Sequence, residues 1–251
     1  MARVGALRIF GLCPIVEALL VASPTRAAPA DDSKTCAEAS GDVAIAACTR
    51  AIKSGRFKGH DLASQYVNRG VEYNSASELD RAIADFSEAI RLNPKFAMAF
   101  YNRGIAYRSK NDPDRAIADY NEAIRLNPKY GSAFNNRGLV FYSPKKNYDR
   151  AIADYNEAIR LDPKNARAFN NRGNAYDDKN DHDRAIADYN EAIRLDPEYA
   201  IAFNNRGDIH EVGVHLIALL LVHVCVRPRS SPAIQPVLIV VDSNGRGCFD
   251  S

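Results

Sequence analysis

The residues able to do chemistry in this 251-residue chain are asparagines, arginines and aspartates that recur at fixed intervals, and a late group of imidazoles and thiols. Asparagines stand in pairs at Asn135–Asn136, Asn170–Asn171 and Asn204–Asn205, with Tyr101–Asn102 and Val67–Asn68 in the equivalent earlier places. An asparagine amide donates and accepts at once, so a row of them can pair with the N–H and C=O groups of an extended polypeptide without reading its side chains. An arginine follows each pair, at Arg69, Arg103, Arg137, Arg172 and Arg206, and aspartates recur at Asp85, Asp119, Asp154 and Asp188. A buried guanidinium is costly unless paired. The two series therefore offer an ion ladder between helices, with ligand contact as the alternative. Catalysis has no comparable support. The chain lacks a glycine-rich phosphate loop, a His-Glu-x-x-His and a Gly-x-Ser-x-Gly. His210, His215, His223 and Cys225 are irregularly spaced in an apolar stretch, unlike a metal motif. No catalytic residue, metal or other cofactor is expected.

These residues are carried by a repeat. Asn-Arg-Gly occurs at 68–70, 102–104, 136–138, 171–173 and 205–207, in steps of 34, 34, 35 and 34, and Asp-Arg-Ala-Ile-Ala-Asp begins at 80, 114, 149 and 183. The one extra residue falls between Gly138 and Asp149, within 143–148, which is assigned to a loop. Each unit reads as two amphipathic helices, as from Ala97 to Lys110 and from Asp114 to Leu126. In the second of these, Ala116, Tyr120, Ala123 and Ile124 share one helical face. Asp112 before Pro113 predicts an N-cap and first-turn proline, and Ser77 with Asp80 predicts a capping box. Pro94, Pro128, Pro163 and Pro197 end the second helix of each unit.

The spaced series Phe100, Gly104, Tyr107, Ala116, Tyr120, Ala123, Pro128 returns as Phe169, Gly173, Tyr176, Ala185, Tyr189, Ala192, Pro197, with Gly70, Gly138, Ala82 and Ala151 in the matching places of the other units. Over about residues 63–210 the chain thus resembles the tetratricopeptide-repeat family. The resemblance implies an all-α fold, a right-handed α-solenoid of stacked antiparallel helix pairs forming a superhelix. Repeats would occupy 63–96, 97–130, 131–165 and 166–199, with a fifth begun at 200–211 and a divergent helical cap over 31–62. Glycine and alanine let paired helices approach closely and tyrosines fill the gaps; a single pair cannot bury its apolar face alone, so repeats must stack. The resemblance further implies a concave groove lined by the first helices. There it places Asn68, Tyr101, Asn102, Asn135, Asn136, Asn170, Asn171, Asn204 and Asn205 as contacts to a bound peptide. The alternative is a framework role, in which the asparagines bond neighbouring repeats. Tyr101 and Tyr142 offer stacking or packing contacts. The lysines of family members that clamp a terminal carboxylate are absent, since Ser64, Met98, Ser132, Arg167 and Ile201 stand in those slots.

The two ends read differently. Arg3 and Arg8 precede an apolar stretch from Ile9 to Ala22, interrupted by Glu17, and Ala28-Pro29-Ala30 follows, which is the layout of a signal peptide over 1–30 and predicts export to a periplasm or the exterior. Cys36, Cys48, Cys225 and Cys248 would remain; Cys36 and Cys48 are either a disulfide stapling the first hairpin or two buried thiols. Beyond residue 211 the repeat fails, with Leu219, His223 and Val226 in the slots for alanine, aromatic and alanine. The apolar run Val212 to Val226 is shorter than the roughly 20 residues of a membrane helix. Three readings stay open for 212–251: a closing helix, a surface for a partner or membrane, or a frame-shifted ending without order. Thirty-three basic and 31 acidic side chains nearly cancel, so no nucleic-acid partner is expected. The sequence therefore predicts a non-catalytic scaffold that binds a protein or peptide in its groove. The alternative is a membrane-associated assembly or self-association factor acting through the tail.

Overall fold

The computed structural model describes residues 31–209, together with 240–241 and 247–248. The expected signal segment 1–30 lies outside the described residues, as does nearly all of 212–251 with the tail-based alternative. Ten helices are bounded within the described residues: α1 (Asp32–Glu38), α2 (Gly41–Lys53), α3 (Gly59–Ser75), α4 (Leu79–Leu92), α5 (Ala97–Ser109), α6 (Pro113–Leu126), α7 (Gly131–Tyr142), α8 (Tyr148–Leu161), α9 (Ala166–Asp177) and α10 (His182–Leu195). Residues 200–209 are helical as well. The fold is an all-α array of stacked helix pairs, apart from a two-residue antiparallel ladder that the repeat pattern does not predict, β1 (Val240–Val241) with β2 (Gly247–Cys248).

The chain divides into two units, residues 1–106 and 107–251, the division falling inside α5. In the first, α1 packs on α2 and α3, α2 on α3, and α3 on α4. A disulfide joins Cys36 of α1 to Cys48 of α2, with a Cα–Cα distance of 4.7 Å, so of the two readings for these cysteines the structure has the covalent one. In the second unit α7 pairs with α8 and α9 with α10, while α6 packs on α7 and α8 on α9.

The pairing follows from residue size. A Cβ added at Gly70 would lie 2.7 Å from the Phe86 ring, one at Gly138 2.7 Å from Tyr155, and one at Gly173 2.6 Å from Tyr189. Each ring fills the gap left by the missing side chain and is itself fully buried. Alanines Ala82, Ala116, Ala151 and Ala185 are also wholly inaccessible. The aromatic that closes the other end of each first helix is capped by an arginine from the second: Arg81 over Tyr73, Arg115 over Tyr107 and Arg184 over Tyr176, at 3.9, 4.5 and 4.4 Å from the ring centroids.

Turns repeat with equal regularity. Asp112, Asn147 and Asp181 each accept a hydrogen bond from the backbone N–H three residues on, capping α6, α8 and α10. Ser77 does not make the capping box read from the sequence. It takes a left-handed φ of 61°, matching Asn111, Lys146 and Asn180 in the other turns, and α4 starts after Glu78 without a side-chain cap. A position reserved for the left-handed turn cannot also serve as the extended N-cap. The second helices stop at Asn93, Asn127, Asp162 and Asp196, whose side chains accept from the N–H two residues later, across the intervening proline.

Candidate functional site

The recurring arginines are engaged by the framework. Arg69 makes a two-pronged bond to Asp85 at 2.7 and 2.8 Å, Arg137 to Asp154 at 2.9 and 2.6 Å, and Arg172 to Asp188 at 2.7 and 2.6 Å. The carboxylates are 5–6% exposed, so these pairs are largely removed from water. The hydrogen bond to its aspartate holds the Arg172 guanidinium above its ordinary pKa, against the opposing effect of burial, and Arg69 behaves alike. The third prong reaches the preceding repeat. Arg137 Nη1 donates to Asn121, Arg172 Nη1 to Asn156, and Arg69 Nη1 to Thr49. One guanidinium thus ties three helices together.

Asn68 lies half-buried on α3, and Tyr101 and Asn102 half-buried on α5, all within the first unit. The second unit gathers the other six of the predicted row: Asn135 and Asn136 on α7, Asn170 and Asn171 on α9, Asn204 and Asn205 on the helical residues 200–209. Here the asparagines also bond one another. Asn171 Nδ2 donates to Asn135 Oδ1 at 3.0 Å, and Asn205 Nδ2 donates to Asn170 Oδ1 at 3.0 Å and to Asn174 Oδ1 at 2.9 Å. Asn170 is 2% exposed and belongs to the framework. Asn135 and Asn171 each spend one end of the amide on the neighbouring repeat, which fixes the side chain; among the described residues the Asn135 Nδ2 and Asn171 Oδ1 have no further hydrogen bond.

Next to this row is a cavity of about 210 Å³ lined by Tyr142, Asn174, Asp177, Asp178, Tyr189, Asn205 and Asp208. Tyr189 donates its hydroxyl to Asn174 at 2.8 Å, and Asp177 meets His182 Nδ1 at 2.8 Å. Burial, and then hydrogen bonding to Asp178, drives the Tyr142 phenol above its usual range; burial and the nearby Asp177 do the same to Tyr189. In both, burial is the larger cause and the neighbouring carboxylates add to it. Asn174, Asp177, Asp178 and Asp208 are not in the row read from the sequence. Their signal was helical spacing: Asn174 is three residues after Asn171, Asp177 and Asp178 are seven after Asn170 and Asn171, and Asp208 is three after Asn205. Of the slots where carboxylate-clamping lysines would stand, Met98, Ser132, Arg167 and Ile201 are exposed and Ser64 is half-buried. Among the described residues no helix is long and apolar enough to cross a membrane, and no group of three or more His, Cys, Asp or Glu side chains could hold a metal ion.

Comparison with known families and structures agrees with this architecture. Residues 97–130 and 166–199 match the family described as Tetratricopeptide repeat, and residues 70–110 and 145–179 match a second one described as TPR repeat. No curated protein matches the chain by sequence. Among solved structures, the chain is similar to MamA with 27% identity, covering 63% of this chain and 90% of that one at a TM-score of 0.56. A tetratricopeptide repeat protein from Parabacteroides merdae is 21% identical over 71% of this chain and 69% of its own, at a TM-score of 0.59. Pseudomonas aeruginosa pilF is also 21% identical, over 64% and 73%, at a TM-score of 0.58. At that identity the last two speak for the fold alone.

Proposed function

We propose that this chain, which is built of tetratricopeptide repeats and is therefore a protein-interaction scaffold, holds an extended polypeptide segment bearing a lysine or arginine on the first-helix face of its second unit. The observation that carries the reading is the asparagine row on α7, α9 and residues 200–209, ending at a carboxylate-lined cavity. Neighbour-to-neighbour bonds hold the amides in one orientation before a ligand arrives, which lowers the entropy lost on binding. The Asn135 Nδ2 and Asn171 Oδ1, without a further bond among the described residues, suit backbone C=O and N–H groups, and Asp178 and Asp208 suit a cationic side chain. The role is one of binding, not catalysis. Affinity in the micromolar range is expected, since few side chains are read.

Export is part of the proposal. The Cys36–Cys48 disulfide supports it, because such bonds persist in oxidising compartments, and so does the signal-like layout of residues 1–30.

The test is a peptide array probed with the full-length chain, in which extended peptides carry lysine or arginine, neutral residues, or glutamate at one position. The basic set should bind best, and Asp178→Ala with Asp208→Ala should abolish that preference while Asn171→Ala weakens binding to every set. Equal binding to basic and acidic sets, or binding unchanged by Asn171→Ala in a folded variant, contradicts the proposal.

A further inference from the structure

Each of the helices α4, α6, α8 and α10 carries an arginine in its first turn, three residues after the cap. In three of them the chain neutralises that arginine itself: Arg81 donates to Glu78, Arg115 to Asp112 at 2.5 Å, and Arg184 to Asp181 at 2.7 Å. A phenol adds a second bond, from Tyr73, Tyr107 and Tyr176 respectively. The remaining unit changes both partners at once. Its cap is Asn147 and its ring is Phe141, so neither a carboxylate nor a hydroxyl stands where the other arginines find one. Arg150 is exposed, lies 5.5 Å from the Phe141 centroid against 3.9–4.5 Å for its counterparts, and makes no ion pair among the described residues. The same unit holds the one-residue insertion within 143–148 and a cavity of about 420 Å³ where α6 faces the turn between α7 and α8. Ile117 and Phe141 form its apolar wall, and Arg150, Asn147, Asn121 and Lys145 stand around it. Asp114, the one carboxylate in the lining, is held by Lys145 Nζ at 2.7 Å.

We infer that this cavity receives an acidic side chain of a partner protein, a glutamate or aspartate next to an apolar residue. Its carboxylate takes the place at Arg150 that Asp112 and Asp181 fill at Arg115 and Arg184, where the planar guanidinium already shows its fit to a carboxylate. The surrounding groups are donors. Asn147 Oδ1 accepts the Arg150 backbone N–H and Asn121 Oδ1 accepts from Arg137, so what both amides have left to offer is N–H. Two cations against one carboxylate leave the lining net positive. The apolar wall selects the kind of anion: a hydrated inorganic ion leaves Ile117 and Phe141 without a partner, whereas an apolar side chain beside the acid covers them. A free metabolite is held by enclosure, and here Asp114, Asn121, Lys145, Asn147 and Arg150 are all exposed. Such an open site suits a side chain whose own protein supplies the rest of the interface. The cavity shares no lining residue with the one beside the asparagine row and is opposite to it in charge.

The probes are two peptides, acetyl-Ser-Glu-Phe-Ser-amide and its Gln counterpart, titrated into the full-length chain labelled with ¹⁵N-arginine. The Arg150 Nε signal, assigned by its loss in Arg150→Gln, locates the binding. The Glu peptide should shift that signal saturably, with an affinity at least about tenfold above that of the Gln peptide, the size expected of a charge-assisted pair. Since the asparagine row is read as contacting backbone, the difference between the two peptides reports on this cavity alone. The double change Phe141→Tyr, Asn147→Asp gives Arg150 the internal partners of its counterparts and should abolish the shift. That variant keeps its fold, because the other units carry these residues in the same places; circular dichroism verifies this. Arg150→Gln, at an exposed position, should remove the preference for Glu over Gln when affinity is followed by fluorescence anisotropy of the labelled peptides. No saturable shift, including the case in which another part of the chain already occupies Arg150, overturns the inference. Equal affinity for the two peptides, a shift that survives the double change, or N-acetylglutamate binding as tightly as the Glu peptide does the same.

Discussion

At the scale of single residues, the weight falls on the guanidinium–carboxylate pairs. Arg172 and Asp188 are 20% and 8% exposed at the side chain, and removal of one partner leaves the other charge partly buried. Arg172→Leu should destabilise the fold by about 3 kcal/mol in chemical denaturation, because breaking a buried pair costs more than the pair contributes. The double change Arg172→Leu, Asp188→Leu should recover much of that loss. A ligand-binding role for Arg172 would instead give a stable variant that fails to bind. The phenols make a second prediction. Burial raises the pKa of Tyr142, Tyr155 and Tyr189 in the folded state. Their contribution to stability is complete below the unfolded value of about 10 and is lost as pH rises above it toward the folded values. In an alkaline titration these three should ionise late, together with loss of helical signal; ionisation with the exposed tyrosines would contradict their burial. The arginine and aspartate series was legible in the sequence because period and charge both point to it. The Asn171–Asn135 and Asn205–Asn170 bonds were not, since residues 35 or 36 apart meet only once the stacking distance is known.

At the scale of elements, glycine marks where paired helices approach most closely. Gly173→Ala drives a methyl group to 2.6 Å from the Tyr189 ring and should cost about 1–3 kcal/mol by overpacking. At Gly207 no described atom lies within 4 Å of an added Cβ, so Gly207→Ala should be neutral or stabilise by up to about 1 kcal/mol through helix propensity. Equal effects at the two sites would remove the distinction between them. The first hairpin gives another measurable contrast. The disulfide closes a 12-residue separation between α1 and α2, so Cys48→Ser should cost about 2–3 kcal/mol and loosen α1 in hydrogen exchange. Helix order and helix ends were readable from periodicity and proline, as at α6 and its Asp112 cap. The turn at Ser77 was misread because serine suits both a cap and, less often, a left-handed turn, and only the backbone geometry decides.

At the scale of the whole molecule, the repeated series between Phe100 and Pro197 made the fold legible, whereas the candidate site was legible in part. The asparagine positions follow from the repeat. The carboxylates Asp177, Asp178 and Asp208 do not, because they break the repeat: Tyr142 and Ser143 stand in the places of Asp177 and Asp178 one unit earlier. A scaffold is specified by what its units share and its ligand by where they differ. Site-specific photo-crosslinking in host cells tests the central claim most directly, with a benzophenone side chain placed at Asn171 on the first-helix face or at exposed Ala153 on α8. A discrete protein adduct from position 171, absent from position 153 and suppressed by a competing basic peptide, is the predicted result. An adduct from position 153 with none from position 171 would contradict it.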